Sequence, residues 1–319
     1  MLSRVADSLF WMSRYVERAE NVARFLAVND YLSLDLPGDA DIWEPLVSAA
    51  GDRALFGELF DEVNPDNVAA FMSSCARNPN SILSAIREAR SNARSVREFI
   101  TIEMWEQLNG LYLMLRSLPP DTRIPAHRLN DVIRSCQLLF GIADATMSHG
   151  EGWQFTRMGR SLERADKTSR IVDVRYFLLI RSGPEAARPY DDILWAALLR
   201  SISGLEMYRK QHRQLVPYRV FQFLMLDKEF PRSVHHCIIS AEEAVRAISD
   251  TPIRTFQNRA EQLLGRLRAE LDYLGVDEII AQGVHEFVDE IQFRLNGIND
   301  AIFETFFALA DIHKPQETA

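Results

Sequence analysis

Cysteine is scarce in this chain of 319 residues: three occur, Cys75, Cys136 and Cys237, far apart and with no Cys-x-x-Cys pair. An odd, scattered set argues against a disulfide framework and a cysteine-based zinc site, and suits the cytoplasm. Long apolar runs are missing too. The longest, Tyr176 to Ile180, falls far short of the roughly 20 residues that cross a bilayer, so no membrane span is expected. Helix-like sequence begins at Leu2 with no basic segment, apolar stretch or small-residue cleavage site, so no secretory signal is expected. Positive charge is not in excess: the net charge is -9 and the pI near 5.4. That balance argues against nonspecific nucleic-acid binding, which depends on Lys and Arg neutralising phosphates.

Several catalytic signatures are also absent. A ferritin-like di-metal centre needs Glu-x-x-His pairs, and the residues three before the seven histidines are Ile124, Thr146, Arg209, Arg232, Ser233, Gln282 and Ala310. His235 and His236 are adjacent and diverge by about 100° on a helix, which makes them poor co-ligands. No phosphate loop, Gly-x-Ser-x-Gly elbow or dinucleotide fingerprint occurs. Neither a metal nor a cofactor is expected.

What remains reads as all-helical. Prolines cluster at Leu36-Pro37-Gly38, at Leu118-Pro119-Pro120 and between Pro184 and Pro189, and the proline-free segments 80–118, 126–183, 190–216 and 253–314 carry apolar residues at helical spacing. In the first segment Val5, Leu9, Met12, Val16, Ala19, Ala23 and Leu26 form one face, while Arg14, Glu17, Asn21 and Arg24 form another stripe.

That polar stripe recurs. Arg14, Glu17, Arg18, Ala19, Glu20 and Arg24 return as Arg160, Glu163, Arg164, Ala165, Asp166 and Arg170. Weaker matches extend beyond it: Trp43 with Trp195, Phe71 with Phe223, and Gly141-Ile142-Ala143-Asp144 with Gly297-Ile298-Asn299-Asp300. The pattern predicts a helical bundle of two tandem pseudo-repeats, about 1–147 and 148–314, related by a pseudo-twofold and followed by a polar tail at 315–319. A solvated face tolerates almost any polar residue, so retention of both type and position implies a required partner. Two partners fit. One is a reciprocal network in which Glu17 meets Arg164 while Glu163 meets Arg18; the other is a cleft for an anionic or zwitterionic ligand.

A second dense segment is read as part of one helix, with Arg90, Arg94, Arg97, Glu98, Thr101, Trp105 and Asn109 on a single face. It is either an anion-binding surface or a core tryptophan with snorkelling arginines. In Asp227-Lys228-Glu229-Phe230-Pro231-Arg232-Ser233, Asp227 and Ser233 suit turn and cap roles, while Arg232 is a further candidate for anion binding.

Four strings in order, Leu9 to Glu20, Val96 to Glu106, Gly152 to Asp166 and Phe230 to Val234, resemble the bacterial alpha-E domain family over nearly the whole chain. Where that family tends to show Asp-Pro before Phe-Pro-Arg-Ser, this chain has Asp227-Lys228. The resemblance implies a single alpha-E domain over 1–319 and a setting rather than a reaction. Members are found fused to, or encoded beside, circularly permuted ATP-grasp ligases and transglutaminase-like peptidases, which implies peptide synthesis or modification with such proteins as partners. Three readings follow: an accessory helical protein working with the ligase, an enzyme or binding protein using a Glu/Arg cleft on a peptide, carboxylate or phosphate, and a structural homo-oligomer.

Overall fold

A computed structural model describes residues 1–36, 42–50, 53–180 and 190–308, without the side chains of 50 and 175–180. The proline-bearing stretches at 37–39 and 183–189 and the tail at 315–319 lie outside the described residues. Within them there are helices and turns and no strand. In chain order the helices are α1 (Ser3–Asp35), α2 (Glu44–Ala50), α3 (Arg53–Leu59), α4 (Pro65–Ser73), α5 (Ile82–Ser95), α6 (Ile102–Arg116), α7 (Ala126–Thr146) and α8 (Glu151–Ile180). Then come α9 (Asp191–Ser201), α10 (Leu205–Gln211), α11 (Pro217–Leu226), α12 (Val234–Ser249), α13 (Arg259–Tyr273), α14 (Val276–Gln282) and α15 (Val284–Ile302), closed by a π-helical turn, Phe303–Phe307.

The two longest helices, α1 and α8, form the centre. They run parallel: Met1 N meets Glu151 Oε2 at 2.8 Å, and farther along Arg18 Nε meets Glu163 Oε1 at 2.7 Å. Gly159 permits the approach, since a Cβ there would lie 2.5 Å from Ser13 Oγ and nearer still to the Phe10 carbonyl oxygen. The apolar face of α1 expected from the sequence is buried from Val5 to Leu26, and one contiguous core extends from Val5 to Phe307.

α5 packs antiparallel on α1, starting near Arg18 (Arg18 Nη1 to Asn80 Oδ1, 2.8 Å) and ending near Ser8 (Ser95 Oγ to Ser8 Oγ, 3.1 Å). α12 does the same on α8, from Thr168 (hydroxyl to the Arg232 carbonyl, 3.0 Å) toward Arg157 (Nε to Ser240 Oγ, 3.1 Å). Both begin at a serine cap: Ser81 Oγ accepts from Ser84 N and Ser233 Oγ from His236 N.

The single helix expected across Ala89 to Asn109 is instead two. Thr101 Oγ1 accepts from Met104 N and opens α6, which returns antiparallel to α5 after a turn at 96–101. A hydroxyl cap satisfies an orphan N–H that a continuous helix would bond to its own backbone, so Thr101 marks the start of a new helix, α5 having already ended at its own cap, Val96.

Candidate functional site

The repeated polar stripe lies inside the α1–α8 contact. Glu163 accepts from Arg14 Nε at 2.9 Å and from Arg18 Nε and Nη2 at 2.7 and 3.1 Å. Glu17 accepts from Arg164 Nε and Nη2 at 3.0 and 2.8 Å, from Arg232 Nη1 at 2.9 Å and from Asn21 Nδ2 at 3.0 Å. Each carboxylate therefore receives a two-pronged guanidinium from the opposite helix, the strongest geometry available to such a pair. Both side chains are 0% exposed.

A second pair flanks the first. Glu20 Oε1 accepts from Arg24 Nε and Nη2, at 3.0 and 2.7 Å, and from Arg232 Nη2 at 2.5 Å. Asp166 takes Arg170 Nε at 2.9 Å on one oxygen and Lys167 Nζ at 3.1 Å on the other. The remaining guanidinium edges are held by neutral oxygens: Arg14 by Asn299, Arg18 by Asn80, Arg164 by the Pro231 carbonyl and Arg24 by Ser203.

Arg160 is the exception. Its place in the motif matches Arg14, but no carboxylate meets it among the described residues; its buried Nε has no hydrogen bond and its guanidinium lies 4.9 Å from the Phe140 ring. The position aligned with Asn299 is Ala143, which lines the same small cavity as Arg160 and offers no side-chain acceptor.

The electrostatics follow from this pairing. Burial by itself would raise the Glu17 carboxyl, but Arg164 and Arg232 outweigh it and hold the group at about 2. Glu163 is held below its ordinary value by Arg18, Arg14 and Lys167 against the same burial. Burial lowers Arg160 and Arg232, and it pushes the neighbouring Cys237 thiol up to about 12 and the Cys136 thiol well up too. The arginines thus favour the ionised carboxylates, and burial favours the protonated thiols.

Arg232, grouped by sequence with the arginine-rich segment, belongs instead to this cluster, 215 residues from Glu17. No sequence pattern announced that contact. Its only signal was adjacency to the Ser233 cap, which places it where α12 starts against α8. Of the other anion-binding candidates, Arg90 reaches across the α5–α6 pair to Asn109 Oδ1 at 2.7 Å, and the guanidiniums of Arg90 and Arg97 lie 5.5 and 4.7 Å from the Trp105 ring. Arg94 and Glu98 stand exposed outside that group.

Elsewhere, Asp173, His285 and Asp289 offer ligand atoms mutually within 4.8 Å. The histidine lies 2.7 Å from Asp173 Oδ1 through Nδ1 and 3.6 Å from Asp289 through Nε2. Two open grooves of about 600 Å³ each flank α13.

Residues 1–307 match a family described as a predicted alpha-helical domain with a conserved ER motif. The chain belongs to the Alpha-E family. Its Glu-Arg dipeptides are Glu17-Arg18 and Glu163-Arg164, the residues at the centre of the cluster. Uncharacterised proteins of Mycobacterium bovis and Mycobacterium tuberculosis are each 24% identical to it over 336 residues. The matches cover 96% of this chain and 37% of each relative, so this Alpha-E chain spans little more than a third of their length. No solved structure matches it significantly. Among the described residues no helix is long and apolar enough to cross a membrane.

Proposed function

We propose that this Alpha-E chain is a non-catalytic accessory module. Its two ER motifs lock the pseudo-repeats 1–147 and 148–314 together about an internal twofold, and the locked body acts as a scaffold for an ATP-grasp peptide ligase. The observation that carries this reading is the closure of the site: both ER carboxylates are fully buried and each is saturated by arginines from the other copy. The twofold is supported by the matching pairs, Glu17 with Arg164 against Glu163 with Arg18, and Glu20 with Arg24 against Asp166 with Arg170. A place within a larger machine is supported by the relatives, which carry the matching region inside much longer chains.

Thermal melts test the lock. Removing one partner of a buried ion pair costs about 3–5 kcal/mol, so Glu17→Gln and Glu163→Gln are each expected to lower the midpoint sharply. Wild-type midpoints would rule the lock out. Co-purification with an ATP-grasp ligase tests the accessory role, and absence of both a complex and any effect on product would count against it.

A second reading, a site for a carboxylate or phosphate ligand, is favoured by the charge count. Among the described residues seven cations, Arg14, Arg18, Arg24, Arg164, Lys167, Arg170 and Arg232, pair with four carboxylates, and Arg160 adds an eighth positive charge beside them. Calorimetric binding of a peptide or inorganic phosphate that is lost in Glu17→Gln while the fold persists would favour it over the lock.

A further inference from the structure

A guanidinium taken out of water needs acceptors for its N–H groups and a counter-charge for its cation. Among the described residues Arg160 finds no counter-charge. Its buried Nε donates to nothing, no carboxylate comes within ion-pair reach, and the Phe140 ring 4.9 Å away offers a π-face but no acceptor. Burial lowers the Arg160 pKa, and the Arg164 and Arg232 cations add to that while Glu17 opposes it.

Space is left beside this side chain. Arg160 and Arg157 of α8 line a cavity of about 20 Å³ with Trp153 and Thr156 and, from α7, Phe140, Ala143 and Asp144. One water-sized sphere takes about 10–15 Å³, so the cavity admits a single small occupant and no whole phosphate or carboxylate group. Arg157 brings a second guanidinium: its Nε donates to Ser240 Oγ at 3.1 Å and its Nη2 to Glu243, and Nη1 is engaged by neither. Asp144 is a carboxylate on the same wall, but its side chain is 69% exposed and 3.8 Å from His149 Nε2, where water screens its charge.

Charge and size together select the occupant. A water in the cavity would accept a hydrogen bond yet leave the buried cation unbalanced, whereas a monatomic anion accepts from the guanidinium and neutralises it. We infer that this cavity is a binding site for a halide ion, chloride in ordinary salt, held by Arg160 with Arg157 beside it. The site stands apart from the sealed ER carboxylates, and it does not depend on the accessory role proposed above.

Thermal melts of the full chain in sodium chloride and in sodium gluconate at equal ionic strength test this, because gluconate is too large for the cavity. On passing from gluconate to about 0.2 M chloride the wild-type midpoint is expected to gain about 2 °C relative to Arg160→Met. The same relative gain is expected against Ala143→Asn, which fills the cavity and places an amide oxygen where the ion would sit. Crystals soaked in bromide give a direct reading, with an anomalous peak beside the Arg160 guanidinium in the wild type and none in either variant. An equal response of the wild type and both variants to the change of salt, or wild-type crystals with no bromide peak at Arg160, would overturn the site.

Discussion

Arg160 and Arg164 stand one turn apart on α8 in the same repeated motif, and their surroundings give them opposite energetics. Arg164 forks onto Glu17, and removing it leaves a buried carboxylate short of its main partner. Arg160 is largely desolvated without a carboxylate, and burial lowers its pKa. Replacing a poorly compensated buried charge by an apolar side chain of similar length is often neutral or stabilising, whereas breaking a good pair costs about 3–5 kcal/mol. Arg160→Met is therefore expected to hold or raise the melting midpoint and Arg164→Met to lower it strongly. Equal losses in the two variants would show that Arg160 has a compensating partner. At this scale the sequence named the residues of the cluster but could not separate these two arginines, because the difference rests on which of them reaches Glu17 across the α1–α8 contact.

At the scale of the element, the contact between α1 and α8 depends on a missing side chain. Gly159 lies where a Cβ would overlap the Phe10 carbonyl and crowd Ser13, and the fork geometry tolerates little separation. Gly159→Val would force the helices apart, lengthening the ion pairs on either side while adding a β-branched residue to the helix. A loss of about 2 kcal/mol or more is expected in urea unfolding; a variant as stable as the wild type would mean that the backbone shifts without cost. The helical character of both elements was legible in their apolar spacing. The break at Thr101 was not, since threonine serves equally on a helix face and at a cap, and only the return of α6 along α5 settles which.

The whole molecule should be sensitive to acid. Glu17 is held at about 2 against an ordinary value of 4.5, and Glu163 and Asp166 are also lowered. Their folded forms thus bind fewer protons than the unfolded chain across that window, and stability contributed by them is complete above the unfolded carboxyl value and lost as pH falls toward 2. Melting midpoints are expected to drop steeply below about pH 4.5, and less steeply in Glu17→Gln; a profile identical in the variant would remove Glu17 from the cause. The amino-acid sequence by itself determined the helical class, the buried face of α1, the doubling of the ER motif and the candidate partners within it, because periodicity and repeated residue types are properties of the chain order. The tertiary structure alone decided that the motif is sealed rather than open, that Arg232 joins it from a distant turn, and that Arg160 meets no carboxylate among the described residues. Those outcomes depend on which helices run parallel and how closely they approach, and that distance is set by packing across the whole bundle rather than by any local pattern.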